Sequence, residues 1–515
     1  MSPRRAIPLL ACVAVAAGIA TGCGGGGGSS KSVDVGPATA VPADTPIYLD
    51  ATVRPTGAAE TDAKAAASKI LGSPDPGAKI VSLIEKQSKA DGHPINYQQD
   101  IAPWLGQKAA LFFTSLSGDQ SQATVVVETT NPTAALAAAR KATGTTATNP
   151  APQTYNGASY QSDPTETGHV FGTVDNFLVE GDLPGFKAAV DASKGDSLGD
   201  SSDFKDAIGD LPSDRLGTVY TVPKTLLAAI PSGQIDPGTK QLFEKTAGDS
   251  LDKPVSGALT ASANDIELEA TGGSNGVETP QSSLIGNVPS QAWLAIGAAD
   301  LGDALKRSLD QLKDAIPNYS AVVQQIESTT GASLDQLTGS LGDAALYVEG
   351  TTQSTLTGAL VVKSNDPALT GRLIGQLRSL LSFGTTGVRP LQLSGGGTDF
   401  QINDPSVASA PVEIAQQGDK IVIGYGAGSA ERTLAPAQSL QSNQAFTAAR
   451  GQVSDLGTDF FLDFPSVFRL AEASGSKSDP GYRQAKPYLD ALSYLVTGSG
   501  TKSDQTEFKA VVGLK

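Results

Sequence analysis

Short runs of β-branched and aromatic residues recur along the chain, among them ALFFTS from Ala110, ATVVVET from Ala123 and GALVVKS from Gly358. Each is bounded by polar turn residues, so each predicts a strand joined to its neighbour in a hairpin. In DIELEA, Ile266, Leu268 and Ala270 alternate with Glu267 and Glu269. That period of two predicts a strand with one dry and one wet face. A different period appears at Leu301, Leu305, Leu309, Leu312 and Ile316, which predicts an amphipathic helix from a cap at Asp300 to just before Pro317. Strand pairs followed by helices place the chain in the α+β class, with a largely antiparallel sheet.

The pattern occurs twice. DIAPWLGQKAALFFTS, from Asp100, aligns with LDQLTGSLGDAALYVEG, from Leu334, so that Leu105-Gly106 meets Leu341-Gly342. Downstream, Phe204 meets Phe446, and Leu216-Gly217-Thr218 meets Leu456-Gly457-Thr458. Upstream, VPADTPIYL at Val41 meets VPSQAWLAI at Val288. The expectation is two tandem homologous units of about 230 residues, a normal length for one domain. The expected boundaries are 41–271 for the first unit, 272–287 for a polar linker and 288–515 for the second unit.

The pieces VPADTPIYLDATVRP, INYQQDIAPWLGQKAALFF and VVVETTNPTAALAAARKA, read together, resemble an uncharacterised bacterial envelope lipoprotein family, domain-of-unknown-function family 3352. DIAPWLG, from Asp100 to Gly106, is the most specific of these stretches. The resemblance spans nearly the whole chain after its leader. It implies no activity, and so no catalytic residue.

The front end changes the picture from fold to location. Arg4 and Arg5 precede an apolar run from Ala6 to Thr21, and small residues then lead into Cys23 in ATGC. This predicts a signal peptide over 1–22 and a lipidated Cys23. A glycine- and serine-rich tether follows over 23–40. About 20 flexible residues give an r.m.s. reach of ~25 Å. The expected place is the extracytoplasmic face of the cell membrane, held by the lipid anchor. The only cysteines are Cys12 and Cys23, so a mature chain has neither a disulfide nor a thiolate metal site. The balance of 53 acidic against 37 basic residues, a net charge of −16, disfavours nucleic acid as a partner.

Candidate chemistry is sparse. Gly195-Asp196-Ser197-Leu198-Gly199 matches the G-x-S-x-G pattern of a nucleophile elbow. Its context reads as helix rather than strand, and the matching stretch from Gln438 keeps Ser439 and Leu440 but neither glycine. Both histidines, His93 and His169, precede Ser197 and have no partner at ligand spacing. The loop GYGAGSA, Gly424 to Ala430, lacks the last small residue of a dinucleotide fingerprint. No catalytic residue, cofactor or metal ligand is therefore expected. Trp104 is the candidate binding or interface residue, because its counterpart in the second unit is Ser340. The expected function is that of a non-catalytic binding or scaffold protein for an unknown envelope ligand or protein partner. The alternatives are a carrier of apolar envelope molecules and a secreted hydrolase with dispersed carboxylates.

Overall fold

Helices repeatedly begin where a side-chain oxygen meets a nearby proline. Asp75, Asn131, Asp182, Asp463 and Asp479 each accept a hydrogen bond from the main-chain N–H three residues on, at 2.7–3.1 Å. A proline in the first turn follows each cap. The cap satisfies a free helix donor, and the proline has no N–H to leave unpaired there. The computed structural model describes residues 34–116, 123–231, 233–273, 281–313, 318–384, 387–393, 399–502 and 505–515.

The chain divides into two units, Met1–Lys240 with Ala247–Asn275, and Gln241–Thr246 with Gly276–Lys515. The first unit carries strands β1 (Tyr48–Thr52), β2 (Leu105–Phe113), β3 (Ala123–Thr129), β4 (Gln153–Tyr155), β5 (Ala158–Ser162), β6 (His169–Val174), β7 (Phe177–Asp182), β8 (Gly217–Thr221), β9 (Val255–Ala261) and β10 (Asp265–Gly273). Their order is β10-β9-β8-β1-β2-β3-β7-β6-β5-β4, and every one of these pairings is antiparallel.

The second unit carries β11 (Ala292–Ala298), β12 (Leu341–Glu349), β13 (Thr357–Ser364), β14 (Val388–Pro390), β15 (Phe400–Ile402), β16 (Val412–Gln417), β17 (Lys420–Tyr425), β18 (Gly457–Asp463), β19 (Leu492–Lys502) and β20 (Gln505–Leu514). Their order is β20-β19-β18-β11-β12-β13-β17-β16-β15-β14, again antiparallel throughout. The fold is α+β.

In the first unit both faces of the sheet are covered. On one face Phe204, from helix Ser202–Gly209, sets its ring edge-on between Tyr48 and Tyr220, with centroids 5.5 and 5.0 Å away. Phe186 and Val190 of helix Leu183–Ala192 extend that layer. On the other face, helices Pro76–Ala90 and Pro132–Thr143 close over Val125, Val127, Leu178 and Phe171. In the second unit Phe446 meets Phe461 edge-on at 5.2 Å, in a layer with Tyr347, Val361 and Val422.

Two segments read as connectors are packed instead. Residues Gly36–Ala40, the end of the expected tether, form a 3-10 turn whose Ala38 and Ala40 are fully buried. Leu284 and Ile285, within the expected linker, join the main core of the second unit. Small and aliphatic side chains in a polar context give no periodic signal, yet they fill gaps beneath a sheet. Linker residues 274–280, and Ile316, lie outside the described residues. The helix predicted from Leu301 is present as Leu301–Leu312, but Leu305 on its apolar stripe is 40% exposed.

Glu180 on β7 is the exception to an apolar layer. It is 5% exposed and lies across from Val125 on β3 and Phe171 on β6. Burial first, then the charges of Asp163 and Glu166, push its carboxyl up to about 8 from 4.5. The folded chain therefore holds a proton that the unfolded chain releases. This contribution to stability is complete below about pH 4.5 and is lost as pH rises to about 8. Glu180→Gln should remove a slope of up to about 1.4 kcal/mol per pH unit across that window. Urea unfolding of both proteins at several pH values checks this, and parallel pH profiles would contradict it.

Candidate functional site

The residues singled out in the sequence fall mostly into structural roles. Cys23 lies outside the described residues. Ser197 is 2% exposed, and its hydroxyl donates to Asp200 Oδ2 at 2.6 Å while its N–H reaches the same oxygen at 3.3 Å. It is the first residue of a capping box, not a strand-to-helix elbow. The turn is also tied to the start of the body, since Leu198 N donates to Val41 O at 2.7 Å. Leu440 N and Val288 O repeat that bond at 2.7 Å in the second unit.

The glycine loop after β17 has its own anion. Glu413, 2% exposed, accepts from Gly428 N at 2.7 Å, Ala430 N at 2.9 Å and Ser429 Oγ at 3.3 Å. A carboxylate of the chain thus fills the place a phosphate would take at this helix start. His169 Nε2 lies 3.5 Å from Glu166 Oε1, and its Nδ1 is buried without a partner among the described residues. His93 packs against Gly144, where an added Cβ would meet its ring at 2.7 Å. Among the described residues no group of three or more His, Cys, Asp or Glu is arranged to hold a metal.

Trp104, the candidate binding or interface residue, is 1% exposed. Its ring lies in the covered layer with Tyr97, Ile101 and Ile84, and its Nε1 donates to Asp100 O at 2.6 Å. The indole is therefore core and offers no surface to a ligand. Main-chain geometry is shared with Ser340: Thr130 N donates to Trp104 O, and Asn365 N donates to Ser340 O, both at 2.8 Å. Only the side chains differ: Ser340 is also buried, at 3% exposed, but fills less of its layer than the indole does.

The site with convergent polar groups lies elsewhere in the first unit. A cleft of about 800 Å³ is lined by Asp34, Asp50, Lys108 and Arg215, with Pro55, Ile208 and Leu211 among its apolar walls. Asp50 sits mid-strand on β1, opposite Ala110 of β2 and Thr218 of β8. Tyr48, buried two residues earlier on the same face, donates its hydroxyl to Asp50 Oδ2 at 3.2 Å. Burial raises the Asp50 carboxyl above its usual value, against the pull of Lys108, the Thr218 hydroxyl and Arg215. Burial, with Asp50 beside it, also holds the Tyr48 hydroxyl well above its ordinary range.

The two cations are held from below. Arg215 donates from Nε to Thr218 Oγ1 at 3.0 Å and from Nη1 to Pro212 O at 2.9 Å. Lys108 Nζ pairs with Asp34 Oδ2 at 2.9 Å. This arrangement presents the carboxyls of Asp34, Asp50 and Asp214, a guanidinium and an ammonium beside an aliphatic wall. In the second unit the strand positions of Tyr48 and Asp50 are held by Ala295 and Gly297. The charged cleft is thus particular to the first unit. A charged residue at the centre of the short strand YLDAT was the available sequence signal for it.

The sequence model of the family described as "Protein of unknown function (DUF3352)" matches residues 78–514. The chain belongs to the DUF3352 family. No curated protein sequence matches it. Among solved structures it is similar to crystal form I of TP0453, at 11% identity over 77% of this chain and 93% of that one, with a TM-score of 0.16. The DUF3352 match takes in Lys108 and Arg215 but begins beyond Asp34 and Asp50.

Two outcomes follow for this DUF3352 chain. Trp104→Ala should lower stability by about 3–5 kcal/mol, because the cavity left by an indole cannot collapse fully. Thermal unfolding beside wild type checks it, and an unchanged melt would return Trp104 to the surface. Ser197→Ala should cost about 0.5–2 kcal/mol as a lost cap. A fluorophosphonate probe should leave Ser197 unlabelled, and labelling there would contradict the capping role.

Proposed function

We propose that this protein is a lipid-anchored binding protein of the extracytoplasmic membrane face, and that it holds its ligand in the cleft of the first unit without transforming it. The observation that carries this reading is the convergence of Asp50, Lys108 and Arg215 on one cleft of about 800 Å³. The volume is in the usual range of a small-molecule site, and the lining is richer in polar and charged side chains than is common for one. The ligand class that fits has an anionic group for Lys108 and Arg215, a donor for Asp50, and an apolar part for the wall at Ile208 and Leu211. Asp34 lines the cleft and leads back through the glycine-rich stretch to Cys23.

The test is native mass spectrometry of the full chain purified from its own membranes, with Asp50→Asn and Arg215→Gln alongside. Wild type should carry a retained small molecule that both variants lose. The Asp50 carboxyl is raised in the folded state, so its charged form opposes folding as pH rises through that value. Asp50→Asn should therefore melt no lower than wild type at neutral pH, which separates loss of ligand from loss of fold. Variants that keep the same bound mass would defeat the cleft reading. Cys23→Ser should release the chain from the membrane fraction, and unchanged fractionation would defeat the anchor.

A further inference from the structure

On one face of the second unit's sheet, helix Pro367–Gly384 closes over Phe400 of β15 and Ile414 of β16, while the row that continues from them across five further strands is more exposed. Phe460, Ile296, Leu346, Leu360 and Ile423 form a row across β18, β11, β12, β13 and β17, each opposite the next in register. Ile296, Leu346 and Ile423 are 40%, 39% and 45% exposed, and the other two are half-buried. Single exposed aliphatic residues are ordinary, but an apolar row spanning five strands is not.

The first unit covers the corresponding face more fully at one end, while Leu49, Leu111 and Val219 stay half-buried. Its row at the same register is Val219, Leu49, Leu111, Val125 and Glu180. There Val125 and Glu180 are each 5% exposed, beneath the layer that contains Trp104. A carboxyl is buried in one unit where an isoleucine is bared in the other. Nothing in the strand order requires the opening, since both units share that order. Ser340 stands where Trp104 would fill the layer, and helix Tyr319–Thr330 buries none of its residues, with Val322 46% and Ile326 38% exposed. Among the described residues, the sheet row and this helix both present exposed aliphatic side chains.

We propose that this face holds the acyl chains of an anionic phospholipid. The inference goes beyond the cleft reading and does not depend on it. Four of the five residues in the row are Ile or Leu, and none of the five carries a hydrogen-bonding group, so the row selects hydrocarbon. Five strands at about 4.8 Å spacing give a row about 19 Å long. One acyl chain spans about 15 Å, half of a hydrocarbon core about 30 Å thick, so a single chain can lie along the row. Helix Pro367–Gly384, which packs beside β16 through Ile374, carries Arg372 and Arg378 and no acidic residue. Neither arginine makes an ion pair among the described residues. On a chain of net charge −16, this local positive edge suits a phosphate-bearing headgroup. The same net charge opposes a second copy as the occupant.

The experiment uses the full chain with vesicles of phosphatidylglycerol that carry a diazirine near the acyl terminus. After irradiation, adducts are mapped by mass spectrometry. Labelling is expected on the peptides containing Ile296, Leu346 and Ile423. Ile423→Glu installs the residue found at this place in the first unit, and should cut labelling there by about tenfold or more, because a carboxylate in contact with hydrocarbon is costly. Ile423→Leu should keep it. Ile423 is half exposed, so the glutamate variant should unfold at the wild-type midpoint; Leu346→Gln serves the same purpose if it does not. Phosphatidylcholine vesicles should label less. Adducts confined to residues 1–33, or equal labelling of Ile423→Glu, would overturn the site. Equal labelling from phosphatidylcholine would overturn the headgroup assignment. A dimer that Ile423→Glu dissociates in sedimentation would assign the face to self-association instead.

Discussion

β1 is hydrogen-bonded on both sides, to β2 and to β8, and its register sets the rest of the first unit. Side chains on a strand alternate between faces, so a slip of one residue would exchange every inward and outward position. In the register observed, Tyr48 meets the edge of Phe204 and Asp50 reaches the cleft from the same face. Leu49, between them, points into the opposite layer. One alignment therefore sets both the aromatic wedge and the only carboxyl that faces Lys108 and Arg215 in the cleft from mid-strand. β11 holds the same place in the second unit, but with Ala295 and Gly297 it carries neither.

Buried charge divides the acidic residues into two kinds. Glu413 is almost wholly inside, yet three donors of its own turn surround it. Its carboxyl oxygens are met by donors that the fold has already oriented. Glu180 and Asp50 are raised chiefly by burial, and Glu180 has further carboxylates nearby rather than donors. Desolvation favours the neutral acid in both. Asp50 opens onto a cleft that Lys108 and Arg215 also line. Glu180 opens onto nothing of the kind, and acts as a pH-dependent weight on stability.

The two units apply one strand order to two different second faces. In the first, helices, Trp104 and a protonated acid close the layer. In the second, the equivalent row is more apolar and less covered. Burial of apolar surface is the main favourable term in folding, so leaving such a row open costs stability unless something else lies on it. That tension is the physical basis for a lipid occupant.

Periodicity alone determined much of the architecture. The runs at Ala110, Ala123 and Gly358 and the alternation at Ile266 are strands, and the α+β class follows from their succession with helices. The start of the helix at Asp300 was legible for the same reason, but Asp300 makes no side-chain cap bond there, because its backbone is left-handed. The absence of an elbow at Ser197 was legible too, from the lack of its glycines at Ser439. The cleft was not. Asp50, Lys108 and Arg215 are far apart in the chain, and only the pairing of β1 with β2 and β8 brings them to one place. Nor could the sequence say whether Trp104 faces a ligand or a core, because an indole in an apolar stretch suits both. Tertiary structure decided that by placing helices above it. The same holds for Ile423: a strand residue's period tells which face it occupies, but only the packing of distant helices determines whether that face is closed.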